Sequence, residues 1–158
     1  MPTNGLNKTM EVLKFKRLHP DAILPAYATA GSAGMDITFQ SGEFQPEQVT
    51  LWVGDRWTFN TGLAVEIPEG YELQCRSRSG LAANVGVMVL NSPGTIDSDY
   101  RGEIKVILLN TGGREVNFKN GDRIAQLVLA KTPKLPIIEV EELSDTERGQ
   151  GGFGSTGA

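Results

Sequence analysis

The sequence predicts an all-β fold, either a sandwich, a jelly roll or a barrel, with at most one short helix. Apolar residues alternate with polar ones or form brief β-branched runs, and they do not recur at helical spacing. Glycine supplies 19 of the 158 residues, more than the usual ~7%. Several short strands separated by turns are typical of these three architectures.

Eight segments have the strand pattern, and turn residues separate them. Residues 68–70, 111–114 and 120–121 have the composition of tight turns, and the last is a strong signal for a two-residue hairpin. The predicted strands are residues 12–18, 35–39, 58–67, 71–75, 85–90, 104–109, 116–118 and 123–129.

Only one helix is predicted. Ser79 can cap a short helical segment from Leu81 to Asn84, and Gly86 can end it. Beyond Pro136 the chain is acidic, and its last ten residues include five glycines, so this end is not expected to contribute to a core. We therefore expect a polar extension (1–10), a β domain (11–140) and a carboxy-terminal arm (141–158).

Composition excludes several functional classes. Fifteen basic residues against nineteen acidic ones give a net charge of −4, which argues against a general nucleic-acid coat. One cysteine and one histidine cannot build an internal disulfide or a zinc site. The polar start lacks a secretory signal, and no run approaches the ~18 apolar residues of a membrane helix. We expect a soluble, cytoplasmic protein without a nucleic-acid or membrane partner.

The end of the chain, residues 148–157, is its least ordinary stretch. Glycines let backbone N–H groups approach an anion closely, Ser155 and Thr156 can donate hydroxyl hydrogen bonds, and Arg148 adds positive charge. Phe153 offers a flat face on which a base can stack. A dinucleotide fingerprint is excluded, because no helix can follow these glycines. These features suit nucleotide binding, but the composition by itself favours a disordered tail.

A turn-rich loop at residues 91–102 contains two carboxylates, a tyrosine and an arginine. Loops at strand ends often carry functional sites. An aspartate such as Asp97 is ionised at neutral pH and can orient and deprotonate a water molecule. The alternative is a solvated acidic turn.

Three further segments are weaker candidates. Residues 75–81 place two arginines and two serines before the predicted helix, which suits an anion site, with solvated arginines at a strand end as an equal alternative. Gln126 lies among apolar residues of a predicted hairpin strand, where a structural role is slightly favoured. Residues 31–36 form a small-residue turn that opens a strand, and a structural role is favoured there as well.

Taken together, these five segments resemble in order and spacing the five motifs of the trimeric deoxyuridine triphosphatases, the dUTPase family. The resemblance covers nearly the whole chain from about Val12. It implies a jelly-roll-like subunit in a homotrimer, with active sites at the subunit interfaces and a flexible glycine-rich arm that closes over a neighbour's site. It also implies hydrolysis of dUTP to dUMP and pyrophosphate, which keeps uracil out of DNA. The motifs are residues 30–36, 78–82, 94–102, 121–129 and 148–157.

The resemblance also implies a role for individual residues in catalysis. Asp97 corresponds to the residue that activates the water attacking the α-phosphorus, a task that depends mostly on positioning. Mg²⁺ is the implied cofactor, held largely by phosphate oxygens and waters. Asp36 corresponds to an acidic residue that supports, through water, the metal or else the trimer core. Substrate-binding residues implied beside Asp97 are Arg78, Ser79, Gly80, Gln126, Arg148, Gly154, Ser155 and Thr156.

Selection of the nucleoside is implied in the same way. Tyr100 corresponds to a tyrosine that packs on deoxyribose and leaves no room for a 2′-hydroxyl, and Phe153 would stack on uracil. Asn91, with the backbone of Thr95 and Ile96, would read the uracil edge, whose donor and acceptor pattern cytosine inverts. An inverted pattern leaves buried polar groups unpaired, at a cost of about 1–3 kcal/mol each.

Two other functions remain as alternatives. A dCTP deaminase shares this fold but performs amine chemistry on the base. A catalytically idle nucleotide-binding regulator would signal through a partner. The glycine-rich end of the chain and the Asp97 loop favour the triphosphatase.

Overall fold

A computed structural model describes residues 11–43 and 45–152. This part of the chain contains eleven strands and one short helix, which confirms the all-β prediction. The elements are β1 (Lys14–Arg17), β2 (Gly34–Thr38), β3 (Gln48–Leu51), β4 (Arg56–Asn60), β5 (Leu63–Glu66), β6 (Tyr71–Arg76), α1 (Ser79–Val85), β7 (Val87–Val89), β8 (Gly94–Ile96), β9 (Lys105–Asn110), β10 (Val116–Lys119) and β11 (Arg123–Lys131).

The strands form four antiparallel sheets. The largest has the order β2-β11-β6-β8, and a second has the order β4-β9-β7. Two-stranded sheets join β1 to β5 and β10 to β3. The described strands do not close into one barrel, and the arrangement is that of a jelly-roll-like sandwich.

The core lies between these sheets and is tied together by aromatic rings. Phe59 on β4 contacts Phe39, just after β2, with ring centroids 5.1 Å apart. It also contacts Phe118 on β10 at 5.2 Å, and both pairs meet edge to face, a favoured geometry for aromatic rings. All three side chains are buried. These contacts connect strands of three different sheets.

One predicted strand, residues 58–67, is two strands in the structure. The chain bends at Thr61 and Gly62, where Gly62 has a φ of +66° that side-chain-bearing residues rarely adopt. Thr61 is fully buried, and its hydroxyl donates to the carbonyl of Ile104 at 2.6 Å. The periodicity of the sequence carries no sign of this bend, because a long-range hydrogen bond stabilises it.

The predictions missed strands β3 and β8. The sequence of β8 is Gly94-Thr95-Ile96, which follows Ser92 and Pro93 and has the composition of a turn. Its strand conformation depends on pairing with β6, where Ile96 lies opposite Leu73. Pairing partners of this kind override local propensity.

The helix occurs where it was predicted, but its cap differs. Arg78 is the N-cap residue, in extended conformation, and it makes no side-chain capping hydrogen bond. The prediction that Ser79 is the cap was therefore wrong, because Ser79 is already the first helical residue. Gly86 ends the helix with a φ of +71°, as predicted, and its N–H donates to Ala82.

Beyond β11, residues 132–152 contain neither helix nor strand. Several apolar side chains in this stretch are exposed, including Leu135, Ile137 and Leu143. Within the described ranges, no helix has the length and apolar character needed to cross a membrane.

Candidate active site

One group of predicted site residues gathers at one end of the largest sheet. Asp36 on β2 lies directly opposite Gln126 on β11, and Gln126 lies opposite Arg76 on β6. Arg78 follows β6 after two residues. Three adjacent strands therefore bring residues that are distant in sequence to one place.

Ion pairs organise this group, which we call the arginine cluster (Asp36, Arg78 and Arg123). Nε of Arg78 lies 2.9 Å from Oδ1 of Asp36, and Nη1 of Arg123 lies 3.1 Å from Oδ2. Nη1 of Arg78 also donates to the carbonyl of Arg123 at 3.2 Å. Two guanidinium groups share one carboxylate, so the cluster keeps an excess positive charge that suits a phosphate.

Arg123 is not among the site residues predicted from the sequence. Its side chain is 61% exposed, and it comes just after the turn at residues 120–121. The pairing of β11 with β2 brings it to Asp36. A signal existed in the turn residues at 120–121, because a side chain at the start of the following strand lies at the end of its sheet.

Gln126 is held by the backbone beside the cluster. Its Nε2 donates to the carbonyl of Ser77 at 2.9 Å. Its Oε1 lies so close to Gly34 that a Cβ at position 34 would overlap it. The Ser77 hydroxyl accepts a hydrogen bond from the Val89 N–H at 2.9 Å. These contacts fix the segment that leads into α1.

Ser79 and Gly80 are the first two residues of α1, and both are exposed next to Arg78. The helix therefore presents a hydroxyl and a residue without a side chain beside the guanidinium of Arg78. This arrangement leaves space for an anion to approach the backbone.

A second group lies on the loop after β8. Asp97 is exposed, and its carbonyl accepts a hydrogen bond from the Tyr100 N–H at 3.1 Å, which closes a turn. Nη1 of Arg101 donates to the carbonyl of Ser98 at 2.7 Å and so braces the same turn. A cavity of about 230 Å³ adjoins the loop. It is lined by Thr95, Ile96, Asp97, Tyr100, Glu103, Ile104 and Lys105.

Tyr100 is fixed by backbone contacts. Its hydroxyl donates to the carbonyl of Glu103 at 2.9 Å, and its ring lies against the backbone of Gly102. The side chain is 46% exposed. A ring held in this way can form a flat wall for a ligand.

Asn91 lies in the turn between β7 and β8. The turn is closed by the Ser92 N–H, which donates to the Val89 carbonyl at 3.2 Å. The amide of Asn91 faces Gly94, where a Cβ would come within 3.0 Å of Nδ2. Thr95 is exposed, whereas the Ile96 side chain is buried in the core, so only the backbone of Ile96 can face a ligand.

Arg148 makes no hydrogen bond or ion pair with the described residues of either group. Its Nε donates to the carbonyl of Gly151 at 2.8 Å, and the Gly149 N–H donates to the Thr146 carbonyl at 3.1 Å. In the described part of the arm, these hydrogen bonds join arm residues to each other. The predicted site residues Phe153, Gly154, Ser155 and Thr156 lie outside the described residues.

The arginine cluster and the Asp97 loop are far apart within one chain. Asp36 lies three strands from β8, and the register puts Asp97 four residues further along β6 than Arg76. At ~4.8 Å per strand and ~3.3 Å per residue, the separation of Asp36 and Asp97 is about 20 Å. One chain therefore cannot present both groups to a single phosphate.

Few side chains in the described residues are placed to bind a metal ion directly. Among residues 11–43 and 45–152, no group of three or more His, Cys, Asp or Glu side chains could hold a metal ion. Both oxygens of Asp36 accept hydrogen bonds from arginines. A magnesium ion would fit here only with most of its oxygen ligands supplied by waters and a bound phosphate chain.

Cys75 is a packing residue. It is buried on β6, and burial raises the pKa of its thiol to about 11. At neutral pH the thiol is protonated and is therefore a poor nucleophile.

A sequence profile of the dUTPase family matches residues 20–157 of this chain. The matched range includes all five motifs.

Two bacterial proteins that share one name are similar to this chain over nearly their whole length. The deoxyuridine 5′-triphosphate nucleotidohydrolase of Nautilia profundicola is 54% identical over 145 residues, which are 92% of this chain and 98% of the relative. The protein of that name from Hydrogenobaculum sp. is 52% identical over 145 residues, covering 92% of this chain and 97% of the relative.

A solved structure is also similar. The dUTPase of Staphylococcus bacteriophage 80alpha, determined with dUpNHpp, superposes with a TM-score of 0.79 at 28% sequence identity. The match covers 94% of this chain and 100% of the bacteriophage chain.

Proposed function

This chain belongs to the dUTPase family, and on that premise we propose that it hydrolyses dUTP to dUMP and pyrophosphate at sites shared between copies of the chain. It is thus a dUTP diphosphatase, the activity named for its relatives. The reaction would keep uracil out of DNA and supply dUMP. We propose that the enzyme acts in the cytoplasm.

The main observation in favour of a shared site is the distance between the arginine cluster and Asp97 within one chain. The arginine cluster and Asp97 lie about 20 Å apart by strand register. We propose that both groups act on one triphosphate, and at this separation they meet it only when they come from different chains. A closed homotrimer meets this requirement three times, because each interface joins the cluster of one subunit to the loop of the next.

Asp97 is proposed as the catalytic carboxylate. It is exposed at the end of β8, and the turn closed by the Tyr100 N–H orients the loop around it. A carboxylate in this position accepts a proton from a water molecule and aims the water at the α-phosphorus. The bond from the α-phosphorus to the bridging oxygen breaks, and pyrophosphate leaves.

Positive charge on the other side of the site would stabilise the departing phosphates. Arg78 is held in place by Asp36, and Ser79 and Gly80 lie beside it at the start of α1. Gln126 holds the same segment through the Ser77 carbonyl. Fixed donors of this kind act mostly by positioning and by electrostatic stabilisation.

The arm, residues 141–158, is proposed to close over a neighbour's site once substrate is bound. Closing would bring Arg148 to the phosphates, together with Gly154, Ser155 and Thr156, and would stack Phe153 on uracil. In the described part, the Arg148 side chain donates its hydrogen bond to Gly151 of its own arm. A segment with this little anchoring can order on binding and exclude water.

Mg²⁺ is the proposed cofactor, bound mainly by phosphate oxygens and waters, with Asp36 as a candidate for contact through water. The ion would neutralise part of the charge of the triphosphate. Asp36 already accepts hydrogen bonds from two arginines, so its support of the ion would be indirect.

Selection of the substrate is proposed to depend on two residues near β8. Tyr100 would pack against deoxyribose and exclude a 2′-hydroxyl. Asn91, with the backbone of Thr95 and Ile96, would match the uracil edge. Cytosine presents the opposite pattern, so this geometry disfavours dCTP and with it a dCTP deaminase.

The experiment that tests this proposal is pyrophosphate release from dUTP and the four common dNTPs, with and without Mg²⁺. We expect release from dUTP alone, with strong dependence on the metal. Ammonia release from dCTP would instead identify a deaminase. Binding of dUTP without any turnover would identify a regulator.

A further inference from the structure

Gly102 lies in the loop that follows β8. The side chain of Tyr100 occupies the space that a Cβ at position 102 would need. A Cβ at position 102 would overlap the hydroxyl of Tyr100 and would lie 2.6 Å from its Cζ and 3.0 Å from its Cε2. The outer half of the ring therefore rests directly on the backbone of Gly102.

This glycine is not needed for backbone conformation. Its φ lies outside the left-handed region that favours glycine. An alanine would therefore be compatible with the backbone. A side chain at position 102 therefore conflicts with the position of the Tyr100 ring and not with the backbone.

The surface on which the ring rests is rigid. The Tyr100 hydroxyl donates to the carbonyl of Glu103, and Oε1 of Glu103 accepts a hydrogen bond from the Gly62 N–H at 2.9 Å. Both backbone polar groups of Ile104 are hydrogen-bonded. Its carbonyl accepts a hydrogen bond from the Thr61 hydroxyl, and its N–H donates to the Leu63 carbonyl. The bend between β4 and β5 thus anchors the segment that carries Tyr100.

We propose that Gly102 is a positioning residue that sets the place of the Tyr100 ring and thereby the preference for deoxyribose over ribose. This inference depends on the proposed function, in which Tyr100 packs on the sugar. The added methyl group of an alanine must push the ring from its place, since the anchored backbone of residues 103 and 104 cannot yield. A displaced ring no longer fills the space of a 2′-hydroxyl.

The test compares kcat/KM for dUTP and for UTP in four variants: Gly102→Ala, Tyr100→Ala, their double variant and Gly113→Ala. Gly113 is the matched control, because it is also an exposed loop glycine outside the left-handed region, and a Cβ there meets nothing within 4 Å. We expect Gly102→Ala to lower the dUTP-to-UTP ratio about tenfold, in the range of steric discrimination by one methyl group. Gly113→Ala should leave the ratio unchanged.

The double variant identifies the mechanism. If Gly102 acts through the ring, adding Gly102→Ala to Tyr100→Ala produces no further change in the ratio. An unchanged or increased ratio in Gly102→Ala alone would overturn the inference, as would an equal fall in both backgrounds. Failure of the parent enzyme to hydrolyse dUTP at all would instead refute the proposed function.

Discussion

The carboxylate of Asp36 accepts a hydrogen bond from Nε of Arg78 at 2.9 Å and thereby links β2 to the segment that begins α1. Its second oxygen accepts from Arg123 at 3.1 Å. Because Asp36 restrains both guanidinium groups, the basic side of the site is organised before any ligand arrives. Such preorganisation lowers the cost of binding an anion.

Asp97→Asn should abolish turnover while leaving the fold and dUTP binding intact. An amide cannot accept the proton of the attacking water, and loss of a general base typically costs 10²- to 10⁴-fold in rate. Pyrophosphate release measures turnover, and calorimetry with a non-hydrolysable dUTP analogue measures binding.

Asp99→Asn is the matched control for this change. Asp99 is an exposed carboxylate two residues away. It lines, with Asp97 and Glu66, a cavity of about 670 Å³, but not the cavity of about 230 Å³ that Asp97 shares with Tyr100. The control should keep most of its turnover. Equal losses in the two variants would show that loop charge matters and would remove the catalytic role from Asp97.

Gly34→Ala should impair activity without unfolding the protein. The new Cβ overlaps Oε1 of Gln126, the mobile end of a side chain, so Gln126 moves and its hydrogen bond to Ser77 is lost. Loss of such a hydrogen bond costs about 1 kcal/mol. We expect KM for dUTP to increase and Tm to fall by only a few degrees. Thermal melts and initial rates measure both quantities.

Gly42→Ala provides the comparison, because a Cβ at position 42 meets nothing within 4 Å and its φ is not left-handed. That variant should match the parent in both measurements. If Gly34→Ala behaved in the same way, the close approach of Gly34 to Gln126 would have no functional importance.

The buried thiol of Cys75 predicts a specific dependence of stability on pH. Burial raises its pKa to about 11, so the unfolded state loses the thiol proton at lower pH than the folded state. The stabilisation is complete below pH 9 and is lost as pH rises towards 11. At ~1.4 kcal/mol per pKa unit, the free energy of unfolding falls by about 2 to 3 kcal/mol over that range.

Urea unfolding at pH 8 to 11 tests this dependence, with Cys75→Ala as the comparison. The alanine variant has no thiol, so its stability should fall less steeply across the same range. Parallel curves for the two proteins would show that Cys75 does not cause the loss.

Removal of residues 149–158 should leave folding and assembly intact and should reduce turnover severely. In the described residues of this segment, hydrogen bonds go to the arm itself, so no sheet loses a partner. Size-exclusion chromatography, thermal melts and pyrophosphate release measure the three properties. Undiminished turnover in the truncated enzyme would refute closure of the arm.

The sequence predicted those parts of the fold that depend on local pattern. The all-β class, a tight turn at residues 120–121 and the helix ending at Gly86 follow from alternation and turn chemistry. The predicted hairpin at that turn was wrong, because β10 pairs with β3 whereas β11 pairs with β2 and β6. The bend at Gly62 and the strand β8 did not follow, because a hydrogen bond from Thr61 and pairing with Leu73 create them.

The same limit applies to the candidate site. Arg78 and Asp97 stand in recognisable motifs, so the sequence was sufficient to propose them. Arg123 and Gly102 were missed, because their importance comes from contacts with Asp36 and Tyr100 that only folding creates. No local pattern reports a contact between residues 36 and 123.

The most direct test of the shared site is complementation between two inactive variants, Asp97→Asn and Arg78→Gln. After the two proteins are mixed, unfolded and reassembled in equal amounts, about a quarter of the interfaces in a closed ring join an intact Asp97 to an intact Arg78. We predict recovery of roughly that fraction of parental pyrophosphate release. If native mass spectrometry shows mixed assemblies but turnover stays at the level of the separate variants, the two residues do not meet across an interface, and the central claim is wrong.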